Sequence, residues 1–85
     1  MIKIFCNKEE YRYNSYNMVR SFYPEEEVET VLAEEQESAL KVSFEGEDDG
    51  ITILPQENRT ALDRSLYKEL SKRSGRELPW GILMG

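Results

Sequence analysis

The stretch ALKVSFEGEDDGITIL, Ala39 to Leu54, decides what kind of fold this chain has. Leu40, Val42 and Phe44 alternate with Lys41, Ser43 and Glu45, the period of a strand with one buried and one wet face. GEDDG then supplies turn chemistry, and Ile51, Thr52, Ile53 and Leu54 form a second apolar run. The stretch therefore reads as a hairpin. Glu45, Glu47, Asp48 and Asp49 crowd its turn, but the spaced oxygen ligands and closing bidentate Glu of a calcium loop are missing, so no metal site is assigned there.

A hairpin with one dry face needs a cover, and the sequence on either side provides it. Downstream, Asn58 is placed to cap a helix in which Leu62, Leu66 and Leu70 form an apolar stripe. Gly75 is placed to end it, and Lys72 and Arg73 lie in its last turn, where cations complement the helix dipole. Upstream, MIKIFC puts Ile2, Ile4 and Cys6 on one side of a short strand. Asn7 and Glu10 then read as a capping pair for a helix reaching about Phe22, with Tyr11, Ser15, Met18, Val19 and Phe22 in one arc. Within YRYNSYN, Tyr11 belongs to the core and Tyr13 and Tyr16 are expected half-buried on its flank, a packing role preferred to a recognition strip.

Tyr23-Pro24 ends that helix, because proline disfavours the helical region for the residue before it. The segment from Glu25 to Ser38 is ambiguous. Its glutamates, and Val28, Val31 and Leu32, suit a helix, whereas Val28, Thr30 and Leu32 alternate as a strand would and β-branched residues fill the middle. Strand is the reading taken. The order is then strand, helix, two or three strands, helix and tail. It predicts an α+β fold, a small two-layer sandwich with a three- to four-stranded, mainly antiparallel sheet and both helices on one face.

Bulk properties bound what such a domain can do. Eighty-five residues suffice for one modest core, with 39% hydrophobic residues and a net charge of -6. Between Glu25 and Asp49 lie eleven acidic residues and one base, most simply a solvated surface, whereas Arg59 to Arg76 carries six bases and two acids. Arg64, Lys68 and Lys72 recur at i, i+4 spacing opposite the leucines and are the candidate partner-facing row. The acidic total disfavours nucleic acid. One cysteine and no histidine exclude an internal disulfide and a Cys/His metal site, and Cys6 reads as a small core residue. Signal peptide and membrane span are not expected, since no apolar run approaches the roughly 18 to 20 residues needed, and a cytoplasmic location is. With no histidine base, glycine-rich phosphate loop or paired nucleophile, the chain by itself is not expected to be an enzyme.

The tail carries one specific likeness. SGRELPWGILMG, with Leu78, Pro79, Trp80, Gly81, Leu83 and Gly85, resembles the segment GKxLPWGxLxG of a group of radical-SAM enzymes. These are the oxygen-independent coproporphyrinogen III oxidases, or coproporphyrinogen III dehydrogenases, of Clostridium-like bacteria, where it lies between an N-terminal domain and a catalytic barrel. The opening MIKIF and the SFYP at the first helix's end are similar to that family's pattern, while Met84 departs from the small polar residue there. The resemblance implies an N-terminal accessory domain over residues 1–77, with residues 78–85 beginning a linker to a barrel. In the family a CxxxCxxC motif holds a [4Fe-4S] cluster that reduces S-adenosylmethionine, for oxidative decarboxylation in haem biosynthesis. None of those cysteines stands here, so no catalytic, cofactor or metal residue is carried over.

The partners implied are the barrel and an electron-donor protein, with Arg64, Lys68, Lys72 and Trp80 as candidate interaction residues. The competing expectation is a stand-alone acidic interaction module that homodimerises by burying Trp80 in its apolar tail.

Overall fold

The structure, a computed structural model, describes residues 1–79. Four strands, β1 (Ile2–Cys6), β2 (Val28–Leu32), β3 (Leu40–Phe44) and β4 (Ile51–Ile53), form one sheet in the order β2-β1-β3-β4. Two helices, α1 (Arg12–Phe22) and α2 (Arg59–Ser74), accompany it. The α+β class and the mainly antiparallel sheet are as the sequence predicts: β1 pairs antiparallel with β3, and β3 with β4. The exception is β2, which runs parallel to β1 after the α1 crossover, a connection that parallel neighbours require.

Register explains how one core serves all elements. Ile2 faces Phe44, Ile4 faces Val42 and Cys6 faces Leu40; Val42 and Leu40 in turn face Ile51 and Ile53. All eight side chains are buried, so each strand's alternation sums to one dry face. Met18, Val19 and Phe22 from α1 and Leu62, Leu66 and Leu70 from α2 complete that core. Full burial of each such side chain stabilises the fold by about 1.5 to 3 kcal/mol. Phe22 and Tyr67 meet edge to face at 5.6 Å where the helices touch.

The ambiguous segment is a strand. Val28, Thr30 and Leu32 sit beside Ile2, Ile4 and Cys6, and the ladder extends at both ends, with Ile2 N donating to Glu27 O and Ala33 N to Cys6 O. From α1, Arg12 Nε donates to Thr30 Oγ1 at 3.1 Å and fastens this edge strand to the helix layer.

Three local expectations are corrected. Asn7 does not cap α1: a 3-10 turn at Glu9–Tyr11 intervenes, the helix begins at Arg12 without a side-chain cap, and Asn7 Oδ1 is buried with no donor. Ser15 instead turns inward, its hydroxyl donating to Tyr11 O at 2.6 Å. Tyr13 is 75% exposed rather than half-buried, because the helical turn aims it away from the sheet; Tyr16 is half-buried as expected. Strand β4 stops at Ile53, and Leu54, held extended by the following Pro55, is 64% exposed.

Downstream the sequence signals operate as read. Asn58 Oδ1 accepts from Ala61 N at 2.9 Å, and Gly75 closes α2 in the left-handed region with φ of 72°. In the β3–β4 connection Gly50 is required by space, since a Cβ there would lie 2.3 Å from Val42 O.

Candidate functional site

The sheet's dry face is filled by helices and its other face, with Lys3, Lys41, Ser43 and Thr52, is exposed; the further places open to a partner are the helical ridge, the loop ends and the point where the chain leaves α2. Helical spacing puts Arg64, Lys68 and Lys72 on one line of α2, and all three are exposed, opposite the buried leucines. They form no salt bridge among the described residues. Trp80, the fourth candidate, lies outside the described residues.

The cation at the neighbouring position behaves differently. Arg73, given only a dipole role by the sequence reading, folds back over the β3–β4 connection and is 18% exposed in its side chain. Its Nη2 donates to Glu47 Oε1 at 2.7 Å and to Asp49 Oδ1 at 3.3 Å, and also reaches the Asp49 carbonyl. Its guanidinium carbon stacks 4.1 Å from the Phe44 ring centroid, and Phe44 meets Tyr23 edge to face at 5.5 Å. Two of the acids read as a solvated surface are thus ligands of this clamp. The hydrogen bond from Arg73, then its charge, holds the Asp49 carboxyl below its ordinary pKa. Burial pulls the Arg73 guanidinium down, but Asp49 and Glu47 more than offset this and leave it raised.

Sequence reasoning also missed Asp63, which is 3% exposed on the α1-facing side of α2. Its Oδ2 accepts one hydrogen bond, from Asn14 Nδ2 at 3.3 Å. Burial pushes its carboxyl pKa up, against the pull of that bond and of Arg59. Helical spacing carries a signal for it, since Asp63 stands three residues before Leu66 and seven before Leu70 on the apolar side of α2. Burial likewise raises the Cys6 thiol, whose Sγ lies 3.7 Å from Ser15 Oγ, so it is a packed thiol whose protonated form is favoured.

At the C-terminal end of α2 the chain is fastened rather than released. Arg76 Nη1 donates across the helix pair to Phe22 O at 2.9 Å, and Ser71 Oγ donates to Arg76 O at 2.7 Å. The Tyr67 hydroxyl donates to Leu78 O, and the Leu78 side chain packs on the core. Residues 75–78 therefore have a fixed course across the helix layer.

Among the described residues no group of three or more His, Cys, Asp or Glu side chains is arranged to hold a metal ion, and no helix is long and apolar enough to cross a membrane. No family profile, curated protein or solved structure matches the chain.

Proposed function

We propose that this chain is the non-catalytic N-terminal accessory domain of a radical-SAM coproporphyrinogen III oxidase, a docking element that sets how the catalytic barrel is attached. The observation that carries the reading is the fastened course of residues 75–78, which contain the start of the LPWG-like segment. A linker free to swing needs no such anchors. Arg76 and Leu78, tied to Phe22 and Tyr67 on different helices, would transmit the domain's orientation to whatever follows Pro79. In this reading the iron-sulfur cluster and S-adenosylmethionine belong to the barrel, and these residues supply position only.

The test is the reading frame and the polypeptide it encodes. A frame continuing past Gly85 into CxxxCxxC is expected, and a stop codon directly after Gly85 overturns the proposal. In the longer protein, deleting residues 1–77 is expected to leave S-adenosylmethionine cleavage measurable and to impair coproporphyrinogen turnover. Unchanged turnover would remove the docking role. The competing self-association reading rests on Trp80, outside the described residues, and is tested by the dependence of sedimentation on concentration.

A further inference from the structure

Five of the eleven Lys and Arg side chains have an ion-pair or hydrogen-bond partner among the described residues. Lys3 pairs with Glu29, Arg12 with Glu9 and Arg73 with Glu47 and Asp49, while Arg20 donates to the Tyr16 hydroxyl and Arg76 to a carbonyl. Lys8, Lys41 and Arg59 are likewise exposed without a salt bridge among the described residues, but they are scattered, whereas Arg64, Lys68 and Lys72 stand together on one ridge. Beside that ridge, between α2 and the outer edge of β4, runs a shallow groove of about 320 Å³ lined by Thr52, Leu54, Gln56, Ser65, Lys68 and Glu69. Lys68 belongs to both the row and the groove. The groove's apolar lining is Ile53, which is buried, and Leu54, which is 64% exposed.

We propose that ridge and groove together form a docking surface for an extended acidic segment of a partner protein. Carboxylates at alternate positions meet Arg64, Lys68 and Lys72, and an apolar side chain seats against Leu54. Spacing suits the extended form. A helical rise of about 1.5 Å per residue sets successive cations about 6 Å apart along α2. An extended chain repeats the same face every two residues, about 6.6 Å, so its alternate side chains keep step with the row.

Charge selects a short acidic segment over nucleic acid. The domain carries -6 overall, so a polyphosphate extending past the ridge meets acidic surface, whereas a few carboxylates engage only the row. Glu69, in the groove, disfavours a carboxylate directly above it, which makes the alternation with neutral or apolar residues part of the fit. The surface uses residues 52–72 alone and holds whether the domain is an accessory one or stands by itself.

The test is fluorescence anisotropy on the full chain with a labelled peptide of alternating Asp and Leu, backed by amide chemical-shift mapping. Saturable binding that weakens with salt is expected, with shifts at Thr52, Leu54, Ser65 and Lys68. Reversing the row with R64E, K68E and K72E should abolish it. Leu54→Ser should weaken it about tenfold while leaving the salt slope unchanged, since it removes apolar contact only. Circular dichroism confirms that these surface variants fold. The proposal is overturned if the peptide fails to saturate, if the reversed variant binds equally, if shifts map elsewhere, or if a uridine oligonucleotide of equal charge binds more tightly.

Discussion

Two asparagines show how one residue type takes opposite roles at two helix starts. Asn58 sits in extended backbone and its Oδ1 satisfies Ala61 N, whereas Asn7 Oδ1 is buried beside the end of β1 with no donor at all. Replacing Asn58 by Ala removes a working cap and is expected to cost about 1 kcal/mol of unfolding free energy in urea melts. Replacing Asn7 by Ala removes an unpaired buried acceptor and is expected to be neutral or slightly stabilising. Equal losses at the two sites would mean that Asn7 caps after all. Both asparagines precede an apolar-periodic run, and Asn7, with Glu10 three residues on, carried the stronger sequence signal. What separated them was Glu9–Tyr11, which closes as a 3-10 turn and moves the helix start beyond Asn7's reach.

At the scale of elements, two contacts tie α2 to α1 and to the β3–β4 connection, and the partners of neither were legible beforehand. The leucine stripe, the Gly75 stop and the hairpin alternation could be read directly, since each depends on neighbours within a few residues. Asp63 and Arg73 depend on partners 49, 24 and 26 residues away, and on which way the helix turns them. Asp63 binds its proton more tightly folded than unfolded, because burial raises its pKa. The stability this gives is complete below the unfolded carboxyl value of about 3.9, and is lost as pH rises through the folded value. Asp63→Asn keeps an acceptor for Asn14 and removes that loss, so it should be more stable than the parent at neutral pH, the gap closing as pH falls toward about 4. Parallel stability curves would exclude the buried charge as the cause. The Arg73 clamp runs with the opposite sign. Asp49 is lowered, so its contribution is present above the unfolded carboxyl value and fades as pH falls through the folded one. Arg73→Lys keeps the charge but loses the fork and the flat stack on Phe44. It should cost about 1 kcal/mol and speed amide exchange across Glu45–Gly50, and unchanged exchange there would mean the loop holds itself.

For the molecule as a whole, the division of labour is between a sheet that fills one core and a helix layer that aims the chain. The parallel pairing of β2 with β1 sends the acids from Glu25 to Glu37 to one edge of the sheet, those from Glu45 to Asp49 return to the β3–β4 connection under Arg73, and β4, at the other edge, borders the basic ridge of α2. The sequence made that charge asymmetry visible along the chain, and the strand order turns it into an asymmetry in space. The course of residues 75–78 belongs to this scale, because it joins Phe22 at the end of α1 to Tyr67 inside α2. Each of those hydrogen bonds contributes only about 0.5 to 1.5 kcal/mol, so Tyr67→Phe with Arg76→Ala should leave most of the domain's stability intact. The effect should instead be local. Amides of Arg76 to Leu78 are expected to exchange much faster, while those of β1 and β3, at the centre of the sheet, keep their protection. If protection at residues 76–78 survives the double substitution, Leu78 packing and the Ser71 hydrogen bond to Arg76 O hold the segment. If β1 and β3 lose protection as well, the anchors belong to the core, and orienting a following domain is not their role.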